Sequence, residues 1–418
     1  MQMTIAEKIL ARASSRKGVS PGEIVEANID AAMVNDITGP ITIEALEKIG
    51  FKKVWDPSRI IVVLDHQSPP TTAEAAQDHT MIRKFVTQRG IPNLFDVGEG
   101  ICHQVLPEHG FALPGQLVVG ADSHTCTYGA LGCFATGIGS TDMAAVFATG
   151  KLWFRVPDSM RIKIDGILKN RVTPKDIILR IVGDVRVDGA TYRAIEFRGK
   201  GMRKISIAGR MTMCNMGVEM GAKTAIVPPD KFTKSYLTER ARKCYKEMHS
   251  DSGADYIEEC AYDISKIEPQ ISVPHNVDKV CAVREVAGVK IDQAFLGSCT
   301  NGRLEDLIEA AKILKGRKIA RGVRMLVVPA SREIYADALR RMVLQKFVNA
   351  GAIVEAPSCA ACLGNHIGIL GSGEICVSSS NRNFKGRMGS PEAKVYLASP
   401  TTVVASAIKG EIADPRDI

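Results

Sequence analysis

Residues 291–330 decide the fold, and they read IDQAFLGSCTNGRLEDLIEAAKILKGRKIARGVRMLVVPA. The first seven, 291–297, form a short apolar run of the kind found in buried strands. Residues 304–314 (LEDLIEAAKIL) place apolar side chains on one helical stripe, and Gly316 follows as a stop. RMLVVPA, 324–330, is a second apolar run. A strand, a helix and a strand in this order predict a parallel βαβ unit.

The same alternation continues toward the C-terminus. Ser331 is placed to cap a helix that we expect to run to Asn349, with Gly351 as its C-terminal cap. Strands are predicted at 352–356 and 373–380. The pattern is typical of an α/β protein with a doubly wound parallel sheet, in which ligands bind at the carboxyl ends of the strands. The loops SCTNGR, PSCAAC and NRNFKGR should therefore meet at one edge.

Two earlier strands also end in titratable residues. RIIVVLDH, 59–66, ends in Asp65-His66, and QLVVGADSH, 116–124, ends in Asp122-Ser123-His124. A Gly-rich turn and a predicted helix, STDMAAVFATG, come next, and the segment EGICHQ between the two strands contains His103. Polar residues thus again lie where strands end.

The middle of the chain has a different pattern. RIKIDG predicts a short strand, Thr173-Pro174 begins a helix with Pro at its first position, and the polar stretch 231–268 is expected to be a surface excursion. At 418 residues the chain exceeds what one hydrophobic core usually supports. This length predicts two or three domains, and the family resemblance carried by the motifs quoted below implies three α/β domains around a central cleft, at 1–156, 157–275 and 276–418.

Composition excludes several classes of protein. The chain is 45% apolar and 24% charged, with a net charge of +8, and no apolar run is long enough to span a bilayer. The N-terminus lacks the apolar core of a signal peptide and predicts a first helix of a cytoplasmic protein. The Lys/Arg clusters of the chain lack interleaved aromatic residues, which favours solvated helix faces over nucleic-acid binding. Neither a membrane nor a nucleic acid is expected as a partner.

The eleven cysteines, an odd number without a secretion signal, argue against a disulfide framework. Cys359 and Cys362 form a CxxC pair, for which zinc, redox dithiol, iron–sulfur and chance pairing all compete. Cys299 lies in a loop at the same predicted sheet edge. Three thiolates could hold a four-iron cluster and leave one iron open to substrate, whereas full four-cysteine ligation suits electron transfer.

Seven motifs, in chain order, resemble the aconitase superfamily. They are LDHQ (64–67), EGICHQ (99–104), ADSHTCTYGALGCFATGIGSTD (121–142), CNMGVEMGA (214–222), GSCTNGR (297–303), PSCAACLG (357–364) and SSNRNFKGRMGS (379–390). The resemblance implies one [4Fe–4S] cluster, held by Cys299, Cys359 and Cys362, with one iron that has no protein ligand. An aerobically prepared sample would be expected to contain it incompletely or not at all.

The resemblance also implies a role for each matching residue. Asp65 and His66 resemble the pair that protonates a leaving hydroxyl, and His103 and Asp122 resemble a second pair, with His124 beside them. The other matches are Glu219 as an acid/base, Ser123 as a substrate or cluster contact, Asn215 and Asn381 on the cluster side, Arg382 and Arg387 as carboxylate ligands, and Asn35 and Asp36 as a substrate-contacting segment. Asn35 departs from the glutamine usual in aconitases. His79, His109, His249, His275 and His366 match no motif and are expected to be structural.

The implied reaction is the dehydration and rehydration of a hydroxy-dicarboxylate or tricarboxylate. Single-chain members of the superfamily carry a further mobile swivel domain, which we expect here on a separate small subunit. Two-chain members act on isopropylmalate, in leucine biosynthesis, or on homocitrate, and the first is favoured; a methylmalate-type substrate is a further alternative. A cluster-free, RNA-binding relative and an electron-transfer protein are disfavoured.

Overall fold

Helices and strands alternate over most of the chain in the computed structural model, which describes residues 2–418. The helices are α1 (Ile5–Ala13), α2 (Gly39–Lys48), α3 (Ala73–Arg89), α4 (Cys102–Glu108), α5 (Ser140–Thr149), α6 (Pro174–Val185), α7 (Ile207–Asn215), α8 (Lys231–Leu237), α9 (Ser298–Asn301), α10 (Leu304–Leu314), α11 (Arg332–Arg340), α12 (Val343–Ala350) and α13 (Pro400–Lys409).

Eighteen strands lie between these helices along the described chain. They are β1 (Ile24–Asn28), β2 (Ala31–Asn35), β3 (Ile60–Val63), β4 (Asn93–Phe95), β5 (Leu117–Gly120), β6 (Phe134–Gly137), β7 (Lys151–Arg155), β8 (Ser159–Asp165), β9 (Ala194–Arg198), β10 (Thr224–Ile226), β11 (Glu258–Asp263), β12 (Gln270–Ser272), β13 (Val280–Ala282), β14 (Gln293–Leu296), β15 (Arg324–Val327), β16 (Ile353–Val354), β17 (Ile375–Ser378) and β18 (Lys394–Ala398).

Three main sheets follow one another along the chain. The first has the order β4-β3-β2-β5-β6 and the second β10-β9-β8-β11, and both are parallel throughout. The third has the order β13-β12-β18-β17-β14-β15-β16. Its strands are parallel from β18 to β16, whereas β12 and β13 pair antiparallel at one edge. The predicted α/β class with parallel sheets is confirmed, with an antiparallel edge added.

Local sequence explains several of these elements. Strand β3 (Ile60–Val63) is a continuous run of buried β-branched residues, as expected where both faces of a parallel sheet are covered. Helix α6 begins as predicted, with Thr173 as the N-cap, Pro174 in its first turn and a reciprocal capping box to Asp176. Helix α10 has the predicted bounds, 304–314.

The single helix predicted from Ser331 to Asn349 is wrong. Ser331 does cap a helix, but α11 ends at Arg340, and α12 starts only after Met342, whose φ is 57°. The apolar stripe explains the break, because Met342 is exposed although it lies four residues after buried Ala338. The apolar stripe resumes one residue later, at Val343. In one straight helix the stripe before the break and the stripe after it would face different directions.

The polar stretch 231–268 is not only a surface excursion. It contains α8, and it contains β11, which pairs in parallel with β8 at the edge of the second sheet. Most residues of β11 are exposed or half-buried, so the strand lacks the apolar run that would have indicated it.

The predicted domain boundaries remain predictions. The three sheets use residues 31–137, 159–263 and 270–398, so the last sheet takes β12 from ahead of the predicted boundary at 275. Buried apolar residues from all three segments contribute to one core cluster. Among residues 2–418, no helix combines the length and apolar character needed to cross a membrane.

Candidate active site

Loops at the carboxyl ends of strands from the first and third sheets enclose one cavity of about 150 Å³. Those from the first sheet follow β2, β3, β4 and β5, and those from the third follow β14, β16 and β17. The cavity is lined by Asn35, Ile37, Thr38, His66, His103, Asp122, Ser123, His124, Cys299, Cys359, Cys362, Leu363, Asn381, Arg382 and Arg387. Twelve of the sixteen predicted site residues therefore reach one space; Asp36, Asp65, Asn215 and Glu219 lie behind its wall.

Asp65 and His66 form the first imidazole–carboxylate pair. His66 Nδ1 lies 2.7 Å from Asp65 Oδ1, and Asp65 Oδ2 accepts the Cys102 backbone N–H at 2.7 Å. Burial disfavours a charged imidazole, but the charge of Asp65 and the hydrogen bonds to Asp36 and Asp65 outweigh it and hold the pKa of His66 well above its usual value. The main-chain carbonyl of Asp65 also accepts the N–H of Cys359 at 2.9 Å.

Asp36 lies beneath this pair, with 0% of its side chain exposed. It accepts the backbone N–H groups of His66 at 2.9 Å and Gln67 at 2.7 Å, and His79 Nε2 at 3.2 Å. Burial opposes its ionisation, but the hydrogen bonds from His66 and His79 hold the pKa of Asp36 well below its usual range. Asp36 thus shapes the His66 loop and does not face the cavity.

Asp122 joins three elements of the cavity wall. It accepts from His103 Nε2 at 2.9 Å, the His124 backbone N–H at 2.8 Å and Asn35 Nδ2 at 3.3 Å. Burial would raise its pKa, but the positive charge and hydrogen bond of His103 hold the pKa of Asp122 well below normal. The other ring nitrogen of His103, Nδ1, lies 3.2 Å from the hydroxyl oxygen of Tyr128.

The third pair, His124 and Glu219, connects to an arginine. His124 Nε2 lies 2.7 Å from Glu219 Oε1, and Arg382 Nε donates to the two Glu219 oxygens at 2.8 and 3.1 Å. Burial opposes the charge of Glu219, but its bonds to His124 and Arg382 lower the pKa of the carboxyl. Glu219 is therefore ionised near neutral pH.

The three cysteines form a second wall of the cavity, each 6% exposed, and this wall adjoins the first where the Cys359 sulfur lies within 4.8 Å of ligand atoms of Asp65 and His66. Cys299 Sγ accepts from Asn215 Nδ2 at 3.1 Å and Asn381 Nδ2 at 3.5 Å, and Arg387 Nη2 lies 3.8 Å from Cys362 Sγ. Burial raises the pKa of Cys299 to about 11 and also raises that of Cys359. These thiols stay protonated near neutral pH unless a cation replaces the proton.

This donor set fits a cluster better than a single ion. Among the described residues, the three-ligand groups whose atoms all lie within 4.8 Å are Asp65-His66-Cys359 and His103-Asp122-His124, and the cysteine trio is not one of them. Around one zinc at ~2.3 Å the sulfurs would lie closer together than this limit. A cluster has several metal atoms and holds its thiolates further apart, and the amide donors at Cys299 suit a sulfur that carries charge.

Sequence reasoning missed several contributors to the site. His79, predicted to be structural, lies on the buried face of α3 with Ala75, Ile82 and Val86, and its contact with Asp36 is a supporting one that the sequence does not reveal. Asn35 Oδ1 accepts the N–H groups of Ile37 and Thr38 at 3.0 Å, an Asx turn that its sequence could have indicated. Tyr128 and Leu363 lie within the quoted motifs 121–142 and 357–364, but no local pattern assigns either of them a role.

Comparison with known proteins now defines the class. The profile of the Aconitase family (aconitate hydratase) matches residues 7–410, and the chain belongs to this family. The family implies an iron–sulfur cofactor, in agreement with the sulfur-lined wall.

Individual relatives narrow the similarity further. The chain is 55% identical over 418 residues, 100% of both sequences, to a probable 3-isopropylmalate dehydratase large subunit of Methanothermobacter thermautotrophicus. It is 50% identical over 420 residues, 100% of this chain and 98% of the other, to a probable methanogen homoaconitase large subunit of the same organism. The crystal structure of Thermococcus kodakaraensis aconitase X (holo-form) supports the fold alone, with TM-score 0.51 and 14% identity over 86% of this chain and 84% of that one.

Proposed function

We propose that this chain is the catalytic large subunit of a 3-isopropylmalate dehydratase. It would interconvert 2-isopropylmalate and 3-isopropylmalate by loss and re-addition of water through isopropylmaleate, a step of leucine biosynthesis. The observation that carries the proposal is one cavity with three imidazole–carboxylate pairs on one wall and three cysteines on the other. The full-length similarity to proteins named for this activity supports it.

In this proposal Cys299, Cys359 and Cys362 hold a [4Fe–4S] cluster, and Asn215 and Asn381 donate to its cysteine sulfur. When bound, such a cluster with three protein ligands supplies an open iron that acts as a Lewis acid toward a hydroxyl group. The protein keeps this group away from bulk water, because all three cysteines are buried.

The side chains of this subunit would manage one of the two protons. Elimination needs an acid for the leaving hydroxyl and a base for the C–H proton. The raised pKa of His66 keeps its imidazole protonated, with Nδ1 directed to Asp65, so Nε2–H is the donor on the cavity side. Arg382 and Arg387 line the same cavity and would bind the carboxylates of the substrate. We assign the base for the C–H proton to a second subunit.

Two aliphatic side chains support a substrate with an aliphatic substituent. Ile37 and Leu363 line a cavity that is otherwise mostly polar, and both remain half-exposed there. An isopropyl group could pack on them, whereas the additional carboxylate of a tricarboxylate would gain nothing from an apolar surface. The isopropylmalate substrate is preferred for this reason.

The proposal includes a small subunit as partner, because the relatives of matching length are themselves called large subunits. A reducing cytoplasm would suit its eleven free cysteines. The second candidate is a homoaconitase large subunit, favoured by the relative at 50% identity.

The test is an anaerobic assay of the reconstituted chain with a small subunit encoded in the same genome. Formation of the conjugated alkene from 2-isopropylmalate and from homocitrate is followed in the ultraviolet. We expect turnover of 2-isopropylmalate, and only with both subunits. Efficient turnover of homocitrate alone would replace the proposal with the homoaconitase. Full turnover by the isolated large chain would contradict the two-subunit assignment.

A further inference from the structure

Lys175 is buried completely, which is rare for lysine unless it is paired. It lies in the first turn of α6, directly after Pro174. Its Nζ donates to the main-chain carbonyl oxygens of Ser379 at 2.8 Å and Ser380 at 2.6 Å. These two residues lead directly into Asn381 and Arg382 of the cavity wall, so the ammonium fixes the backbone behind that wall.

The backbone held by Lys175 presents Asn381 to the sulfur. Asn381 Nδ2 lies 3.1 Å from Asn215 Oδ1 and 3.5 Å from Cys299 Sγ. A chain of contacts therefore runs from the ammonium, through two peptide groups, to a cysteine of the cavity. Lys175 itself does not line the cavity.

The charge of Lys175 is unfavourable where it stands. No carboxylate oxygen of residues 2–418 forms a salt bridge to Nζ within 4.0 Å, and its partners are neutral carbonyls. Burial lowers the pKa of Lys175 to about 7, and the groups that oppose this fall are, in decreasing order, Asp306, Cys299, Cys362 and Asp176, the two cysteines only when they are thiolates. The first turn of a helix is also its positive end, where a cation is disfavoured. A buried cation in such a place needs a negative charge nearby to offset its cost.

We propose that the ammonium of Lys175 is the counter-charge of the cysteine site, stabilising the negative charge that appears when Cys299 and Cys362 ligate the cluster as thiolates. Lys175 is then a positioning residue with an electrostatic role, and it touches neither substrate nor cluster. The inference rests on the proposed cluster. A lysine that served only to tie α6 to the 379–380 backbone would need its hydrogen bonds but not its charge.

The test separates charge from hydrogen bonding. Lys175→Gln keeps N–H donors without the charge, Lys175→Met removes both, and Lys175→Arg keeps the charge. Arg180→Gln is the matched control, since it removes a cation from the exposed side of the same helix. Each variant is reconstituted anaerobically, and two quantities are measured: the midpoint reduction potential of the cluster and the rate at which a chelator removes its iron.

We expect Lys175→Gln and Lys175→Met to shift the potential in the negative direction, because a lost cation disfavours an added electron. Iron loss should accelerate by about tenfold in both. Lys175→Arg and Arg180→Gln should match the wild type. If Lys175→Met does not fold, the Gln and Arg variants distinguish a role of the charge from a role of the hydrogen bonds alone.

Two results would overturn the proposal. A wild-type potential and rate in Lys175→Gln would show that the hydrogen bonds alone matter, whether or not Lys175→Met differs. Failure of the wild-type chain to take up iron and sulfide would instead reject the proposed cluster, and the counter-charge with it. The first result leaves the proposed function intact, so the two failures are distinguishable.

Discussion

The two walls of the cavity differ in how far they are prepared for their task. On the first wall every imidazole already meets a carboxylate, with distances of 2.7 Å at His66, 2.9 Å at His103 and 2.7 Å at His124. On the second wall the cysteine sulfurs have amide, guanidinium and hydroxyl donors, at 3.1 to 3.8 Å, in place of carboxylates. The first wall is complete as folded, and the second needs a cation.

This difference shows how the chain divides its work. The groups that we propose to hold or move a proton are oriented by buried carboxylates, so their geometry is fixed when the chain folds. Of the proposed metal ligands, Cys299 and Cys359 remain neutral thiols, since burial raises the pKa of both, that of Cys299 to about 11. Substitutions on the two walls should therefore fail differently: losses on the sulfur wall remove the cofactor, and losses on the imidazole wall leave the cofactor and remove turnover.

The largest effect is expected for Cys359→Ser on the sulfur wall. With one thiolate missing, the variant should contain almost no iron after reconstitution, and turnover should fall by about 10³-fold or more because the Lewis acid is lost. Iron and sulfide analysis checks this. Cys376→Ser is the control, a buried cysteine of β17 that does not line the cavity, and it should keep its iron. A normal iron content in Cys359→Ser would contradict the ligand assignment.

On the imidazole wall, Asp122→Asn should lower kcat by about 10²–10⁴-fold while the iron content stays normal. The substitution keeps the shape of the side chain but removes the charge that His103 Nε2 faces. Steady-state kinetics together with iron analysis check the split. Asp142→Asn, on the exposed side of α5, should behave as the wild type. If Asp122→Asn lost its iron, the division between the walls would not hold.

Asp36→Asn should lower the free energy of unfolding at neutral pH by about 3 kcal/mol, because it removes a buried charge and some of the hydrogen bonds that this charge accepts. The pKa of Asp36 is lowered in the folded state, so its stabilisation is present above the unfolded value of about 3.9 and is lost as pH falls through the folded value. The variant should therefore lose less stability on acidification below about pH 4. Denaturant titrations at several pH values measure this, with exposed Asp255→Asn as control. Parallel pH curves for variant and wild type would count against the role given to Asp36.

The smallest effect is expected for Leu363→Ala. Removing part of an apolar contact should lower kcat/KM for 2-isopropylmalate by about tenfold and affect 2-methylmalate, which lacks the branched substituent, much less. The ratio of the two values is the readout, and Leu339→Ala, an exposed leucine of α11, is the control. An equal loss for both substrates would remove Leu363 from the specificity surface.

Sequence patterns located most of the site because strand ends are local signals. His66, Asp122 and Cys299 each follow a short apolar strand, and parallel pairing brings such ends to a common edge. The Asp36–His79 contact could not be predicted in this way, since it joins residues 43 apart on a strand end and a helix face. The helix break at Met342 was missed because the apolar stripe slips by only one residue there.

The hydrogen bond from the Cys359 N–H to the Asp65 carbonyl ties the two walls through main chain alone. Replacing either side chain leaves this main-chain hydrogen bond in place. The His66 loop and the Cys359 loop therefore keep their relative position even when one of the side chains is changed. Asp65→Asn or Cys359→Ser should accordingly report on chemistry, with little displacement of the opposite loop. Through the same hydrogen bond, any movement of the Cys359 loop on metal uptake would also move the backbone of Asp65, next to His66.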